Sequence, residues 1–151
     1  AFIGVQAAPT SDHARLASFE QSIVLRSAAV SSASGPLSNV YTVTLRWSAF
    51  QPVSEDLAVF VHWVRDGQLI AQHDGSPAEG YLPMPAWRAG DVIVDAHAVT
   101  VPAGYQPGDT LRAGIYRRED GRRLAVWTDT APTAHPEEWV DLTALFTSLT
   151  P

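Results

Sequence analysis

The side chains best suited to chemistry lie on a central hairpin and the strand after it: His62, His73, Asp74, Asp95 and His97. Two positioned groups with separated pKa values could act as general acid and general base in a hydrolysis. Imidazole nitrogens and carboxylates that converge from adjacent strands could instead hold a metal ion. The third interpretation is structural, with the same groups joining strand ends by hydrogen bonds. We favour the structural interpretation and predict no catalytic residue, no metal and no cofactor.

The position of these groups depends on how the hairpin pairs. Residues 57–74 read as two strands, with apolar runs on either side of Asp66-Gly67. Asp-Gly is a typical two-residue hairpin loop. Counting back from this loop pairs Phe60 with His73, which sets His62 diagonally on the same face. The sequence therefore predicts that the two histidines can converge, and a different loop length would break this pairing.

Aromatic side chains offer a second kind of site. Sugar-binding modules place two or three rings on one solvent-facing plane, because the apolar face of a pyranose stacks on a ring. Among the five tryptophans and four tyrosines, the candidates for exposed rings are Trp63, Trp127 and Tyr81. Trp47 alternates with apolar residues and is expected in the core, and Trp87 is expected to anchor a Pro-rich loop. We favour the interpretation that all of these rings are core and loop anchors, with sugar binding as the alternative.

The acidic and basic turns fit local structure better than ligand binding. Asp66 and Asp120 each precede a glycine, as turn residues do, and no D-x-D-x-D-G calcium loop is present. Arg117-Arg118 and Arg122-Arg123 flank Glu119-Asp120, which predicts a solvated, self-compensated turn; contact with phosphate or an acidic polymer is the alternative. The sequence has no G-x-S-x-G, P-loop or H-E-x-x-H motif, so nothing indicates an enzyme.

The elements that position these groups are strands. Residues 41–49 alternate between apolar and polar types, which indicates a half-buried strand. Asp95 and His97 share one face of a strand over 91–101, opposite a face of small apolar residues. Further strands are predicted at 19–30, 110–117 and, as its hairpin partner, 122–128; residues 139–149 fit a helix or a closing strand, and we favour the strand. About eight strands without alternating helices predict an all-β antiparallel two-sheet β-sandwich, immunoglobulin-like or jelly-roll-like.

Length and composition exclude several classes of function. The 151 residues correspond to one domain, 1–151, with residues 1–18 as a lead-in segment. The chain has no cysteine, which excludes disulfides and cysteine-based zinc sites. A net charge of -6 argues against nucleic acid and anionic lipid as partners, and no apolar run approaches the ~20 residues of a membrane span. Because residue 1 is alanine, we expect a piece of a longer protein.

A set of short motifs points to a family. They are Phe60-Val61-His62, Asp66-Gly67, Ala71-Gln72-His73-Asp74, Pro77, Gly80, Trp87, Gly90-Asp91-Val92, Asp95, Pro107-Gly108, Leu111 and Gly114-Ile115-Tyr116. Over about residues 41–124 the pattern resembles a β-sandwich domain of bacterial cell-envelope proteins, which often follows the membrane part of protein-mannosyltransferase-type glycosyltransferases. The chain departs from that pattern at Arg117, where an acid is usual, and at Pro83-Met84-Pro85-Ala86, where Pro-Thr is usual.

The resemblance implies a role and a location. It implies a non-catalytic accessory or interaction module, extracytoplasmic and soluble, with a glycan or a neighbouring domain of the same protein as partner. It brings no catalytic residues. Two alternatives stay open: a carbohydrate-binding module that uses exposed aromatics, and a hydrolase or metal site built on His62, His73, Asp74 and Asp95.

Overall fold

The structure, a computed structural model, describes most of the chain. The described residues are 2–6, 16–20, 23–33, 39–51, 53, 55–75, 87–88, 90–128, 134–135 and 138–149. They form two antiparallel sheets, so the predicted all-β two-sheet sandwich is confirmed. No helix in this part of the chain has the length and apolar character needed to cross a membrane.

The two sheets differ in size. The strands are β1 (Phe2–Gln6), β2 (Ala17–Phe19), β3 (Ile23–Ala33), β4 (Val40–Ala49), β5 (Leu57–Arg65), β6 (Gln68–Gly75), β7 (Ile93–Thr100), β8 (Thr110–Arg117), β9 (Val126–Trp127), β10 (Ala134–His135) and β11 (Val140–Asp141). The larger sheet, sheet A, has the order β10-β9-β2-β3-β4-β7, and β1 also pairs with β3. The smaller sheet, sheet B, has the order β11-β8-β5-β6.

Strand β4 has the alternation that its sequence predicts. Its odd-numbered residues, from Tyr41 to Ala49, are buried against sheet B, and the intervening threonines and Arg46 are half-buried. Each fully buried large apolar side chain of this kind contributes about 1.5–3 kcal/mol to folding. On the neighbouring β7, Asp95 and His97 pair with core residues of β4 and are buried, whereas Val94 on the other face is 52% exposed. The buried face of β7 is therefore the one that carries the polar groups.

The hairpin of β5 and β6 contains a β-bulge. Val64 pairs with Leu69, but the residue before it on β5, Trp63, pairs with Ala71. Ile70 is the extra residue, and it lies three positions beyond the Asp66-Gly67 turn, where the loop type does not predict it. All pairings beyond the bulge are therefore offset by one residue from those predicted by the loop alone.

This offset separates the two histidines. His62 pairs with Gln72, and His73 pairs with Val61. Because side chains alternate between the faces of a strand, a shift of one residue in the pairing places His73 on the face of sheet B opposite to that of His62. The prediction that His62 and His73 lie on the same face is wrong, and Asp74 takes the place of His73 beside His62.

Residues 122–128 do not form the predicted partner strand of β8. Arg123 makes an isolated bridge to Tyr116, and the Leu124 N–H donates to the Ile115 carbonyl at 2.9 Å. The chain then crosses to sheet A, where β9 pairs with β2. The crossing brings Arg123 to the outer face of sheet B.

The segment 139–149 is neither of the single elements considered from the sequence. Strand β11 is only two residues long and leads into a 3₁₀ helix, Thr143–Leu149. Leu142, Leu145 and Phe146 from this segment are buried in the core, because their spacing suits a helical turn better than a strand. The favoured strand over 139–149 is therefore wrong beyond Asp141.

The first half of the chain also differs in detail. The strand predicted at 19–30 is divided by a turn at Glu20, whose φ is 48°. Strands β2 and β3 on either side of this turn pair with each other. Residues 2–6 of the lead-in segment belong to sheet A, since β1 pairs with β3.

Candidate functional site

Strand β5 is apolar on both faces and has a different environment on each. Val59, Val61 and Trp63 belong to the core between the sheets. Phe60 and His62 alternate with them and face outward from sheet B. The outward face of sheet B is the candidate functional site, because it gathers aromatic, basic and acidic side chains from five segments of the chain.

Phe60 fills the space above a glycine. Gly114 is its partner in the pairing of β5 with β8, and a Cβ at Gly114 would lie 2.3 Å from Phe60 Cζ. The guanidinium carbon of Arg123 lies 4.5 Å from the centroid of the Phe60 ring. Phe60 is consequently only 1% exposed although it faces away from the core.

His62 lies at the centre of this face. Its ring centroid is 4.6 Å from that of Phe60, and its Nε2 lies 3.6 Å from Asp74 Oδ1. Burial lowers the pKa of His62, and the nearby charges of Arg123 and Arg112 lower it further, against the opposing effect of Asp74. With a pKa below its usual value of 6.5, the imidazole is neutral at pH 7.

Arg112 completes the face on the other side of His62. It is the partner of His62 in the β5–β8 pairing, and its guanidinium carbon lies 4.4 Å from the centroid of the Trp139 ring. Asp141 pairs with Arg112 across β11 and β8. The carboxylate of Asp141, however, accepts hydrogen bonds from the backbone N–H and the hydroxyl of Thr143. We refer to Phe60, His62, Asp74, Arg112, Arg123 and Trp139 as the outer cluster.

The other predicted groups, His73, Asp95 and His97, belong to a separate and mostly buried network. His73 Nδ1 lies 2.8 Å from His97 Nδ1, and His97 Nε2 lies 2.6 Å from Asp95 Oδ2. The same carboxylate oxygen accepts the indole N–H of Trp47 at 3.2 Å. We refer to Trp47, His73, Asp95 and His97 as the buried network, which connects β6 at the edge of sheet B to β7 at the edge of sheet A.

The hydrolase or metal alternative required His62, His73, Asp74 and Asp95 to meet in one pocket. The structure divides them between the outer cluster and the buried network. In the described part of the chain, no group of three or more histidine, aspartate or glutamate side chains is arranged to hold a metal ion. For His73, Asp95 and His97 the geometry is that of the structural interpretation, because their hydrogen bonds join strands of the two sheets.

Trp63 is not the exposed ring that the sugar-binding alternative required, and the favoured interpretation of this ring as a core anchor is confirmed. Trp63 is fully buried, because the inner face of β5 packs on sheet A, and its indole N–H donates to Asp109 Oδ2 at 2.8 Å. Arg65 binds the same carboxylate, with its Nε–H donating to Oδ1 at 2.8 Å. Burial alone would raise the pKa of Asp109, but hydrogen bonds from Arg65, Trp63 and the Gln106 N–H outweigh it, so the pKa is lowered. The sequence analysis did not predict the contacts of Asp109 with Trp63 and Arg65.

The other aromatic candidates have different positions. Trp127 is half-buried on β9 in sheet A, away from the outer cluster. Tyr81 lies outside the described residues. Trp87 is buried in the core, as expected for a loop anchor. The half-buried Trp139, which no motif marked, is the tryptophan that lies with charged groups on an outward face.

The arginine-rich turn is compensated from other segments. Arg117 forms ion pairs with Glu20 at 2.8 Å and Glu55 at 2.6 Å. Arg118 pairs with Asp56 at 3.2 Å. The prediction that the turn compensates its own charges is therefore wrong for Arg117 and Arg118, which pair with acids outside the turn. Arg123 belongs to the outer cluster.

The outer cluster brings together the half-buried ring of Trp139, guanidinium donors and a neutral imidazole, which are side chains of the kind that can contact a sugar ring. All its members except Phe60 are at least partly exposed. Comparison of the chain with protein-family models, with curated proteins and with solved structures finds no match.

Proposed function

We propose that this chain is a non-catalytic accessory module of a bacterial envelope protein and that it binds glycan through the outer cluster on sheet B. The observation that carries the binding role is the adjacency of Arg112, Trp139 and His62 on one outward face. A pyranose presents both an apolar face and hydroxyl groups, so its recognition needs an aromatic ring beside hydrogen-bonding groups. Asp74 and Gln72 supply further exposed polar groups on the neighbouring β6.

The envelope setting is supported by the resemblance in sequence motifs. The domain that the chain resembles stands beside the membrane part of glycosyltransferases, where a module that holds a glycan would retain the acceptor or the product near the enzyme. The sequence of the complete gene tests this setting. We expect membrane-spanning segments to be encoded upstream of the sandwich, and a gene that encodes none would contradict the glycosyltransferase setting.

The glycan-binding role is tested by retention of the purified chain in gels that contain polysaccharides from bacterial envelopes. We expect retention of the wild-type chain, and its loss in Trp139→Ala. Trp127→Ala is the matched control, because Trp127 is also half-buried but lies on sheet A. Gln72→Ala, on an exposed position beside His62, provides a second variant with little risk to folding.

The result can contradict the proposal in two ways. If no envelope polysaccharide retains the wild-type chain, the glycan-binding role is wrong. If Trp127→Ala loses retention while Trp139→Ala and Gln72→Ala keep it, the binding surface is on sheet A. Circular dichroism of each variant distinguishes loss of binding from loss of the fold.

A further inference from the structure

We propose that the outer cluster contains a subsite for the carboxylate of an acidic sugar, formed by Arg112 and Arg123 around His62. This inference rests on the proposed glycan-binding function and specifies the class of glycan. It makes a uronic acid, rather than a neutral sugar, the unit that sheet B recognises.

The first argument is the way in which the two arginines are held. Both guanidinium groups lie over aromatic rings, Arg112 at 4.4 Å from the Trp139 centroid and Arg123 at 4.5 Å from the Phe60 centroid. Within the described residues neither forms a salt bridge, whereas Arg65, Arg117 and Arg118 each pair with a carboxylate. A guanidinium that is held over an aromatic ring, with no carboxylate partner among the described residues, has N–H donors that can bind a ligand.

The second argument is that both guanidinium groups lie close to His62. Arg112 is the cross-strand partner of His62, and Arg123 covers Phe60, whose ring centroid is 4.6 Å from that of His62. Both arginines act on His62 electrostatically, each lowering its pKa. A ligand beside His62 is therefore within the field of both positive charges.

The third argument concerns the charge of the ligand. The charged groups that act on His62 are Arg112, Arg123 and Asp74, which leaves one positive charge in excess while His62 is neutral. Asp141 also lies opposite Arg112 and keeps its negative charge, but it is not among the charges that shift the pKa of His62, and its carboxylate accepts a hydrogen bond from Thr143. A monoanionic carboxylate matches this excess and fits the fork of a guanidinium. A phosphate monoester, with a charge of about −1.5 to −2 at pH 7, exceeds it.

Nuclear magnetic resonance of the complete chain tests the subsite, with sodium glucuronate as the probe and glucose as its neutral counterpart. We expect glucuronate to produce a saturable shift of the His62 ring resonance and to raise the pKa of His62, because a nearby anion favours the imidazolium. Glucose should do neither. Arg112→Gln and Arg123→Gln should each weaken glucuronate binding about tenfold, the effect of one lost charge-assisted hydrogen bond.

Two further variants distinguish loss of the subsite from a general loss of positive charge and from unfolding. Arg118→Gln removes a positive charge that already has a partner in Asp56 and should leave glucuronate binding unchanged. Arg123→Lys keeps the charge and reduces the risk of unfolding, but it loses the planar fork, so it should bind glucuronate more weakly than the wild type.

Several outcomes would overturn the subsite. They are no saturable effect of glucuronate, an equal effect of sodium chloride or glucose, tighter binding of glucose 6-phosphate, and equal weakening by Arg118→Gln. If polysaccharides retain the chain but glucuronate has no effect, only the subsite is wrong. If glucuronate binds but no polysaccharide is retained, the glycan-binding role is wrong and sheet B carries an anion site of another use.

Discussion

Gly114 lies opposite Phe60 in the pairing of β5 with β8, and the ring of Phe60 occupies the space that a side chain at position 114 would need. The carbonyl oxygen of Glu138 closes the same space from another side, 2.9 Å from a Cβ at this position. The glycine therefore lets the aromatic ring lie close to the sheet, where Arg123 covers it. The contact between Phe60 and Gly114 thus positions the ring that Arg123 and His62 contact in the outer cluster.

We predict that Gly114→Ala destabilises the fold by about 1–3 kcal/mol, the usual effect of overpacking. The added methyl group meets Phe60 at 2.3 Å and a backbone atom at 2.9 Å, so the ring or the segment at Glu138 must move. Urea unfolding followed by tryptophan fluorescence measures the change. Gly75→Ala is the control, since a Cβ there meets nothing within 4 Å; equal effects of the two variants would contradict the prediction.

Asp109→Asn should lower the free energy of unfolding at pH 7 by about 2–3 kcal/mol, because it removes a buried partner of a charged group. The folded-state pKa of Asp109 is below its usual value of 3.8. The stabilisation by its carboxylate is thus complete above the unfolded-state value and is lost as the pH falls through the folded-state pKa. The difference between wild type and variant should shrink in urea unfolding at pH 3 and below.

The exposed Asp66 offers a control for this experiment, since asparagine is equally suited to its turn position, where φ is 52°. Asp66→Asn should change stability by no more than about 0.5 kcal/mol at either pH. If Asp109→Asn shows no loss at pH 7, the hydrogen bonds from Trp63 and Arg65 do not stabilise the fold.

The strands could be predicted from the sequence where apolar and polar residues alternate, or where apolar runs flank a typical turn. Residues 41–49 show the alternation of β4, and the apolar runs around Asp66-Gly67 locate β5 and β6. The register of that hairpin was not readable, because the bulge at Ile70 lies outside the turn. One extra residue was enough to exchange His73 for Asp74 beside His62.

The candidate site was only partly readable for a related reason. Strand β5 is apolar on both faces, so the sequence does not show whether Trp63 or Phe60 faces sheet A. The pairs of the outer cluster join segments that are far apart in the chain, as with Arg112 and Trp139. Such pairs become visible only once β11 is placed beside β8 and Arg123 is placed beside β5.

We predict that acid destabilises the protein through His62. Burial and two nearby arginines lower its folded-state pKa below 6.5, so the unfolded chain binds this proton more tightly than the folded one. The contribution of His62 to stability should therefore fall as the pH drops below about 6.5 toward the folded-state pKa. Above pH 6.5 this contribution should stay constant. In His62→Gln this part of the pH dependence should be absent from urea midpoints measured between pH 8 and pH 5. An unchanged slope in the variant would assign the effect to another group.

The buried network predicts energetic coupling between His73 and His97. Their Nδ1 atoms are 2.8 Å apart, so one ring donates to the other, and removal of either ring removes the same hydrogen bond. A double-mutant cycle of His73→Ala and His97→Ala should give a coupling energy of about 0.5–1.5 kcal/mol in urea unfolding. The cycle of His62→Ala and His97→Ala is the control, because His62 lies on the other face of sheet B and the two effects should add within about 0.5 kcal/mol. Coupling of His97 to His62 instead of His73 would place the bulge elsewhere and return the histidines to the register that the loop alone predicts.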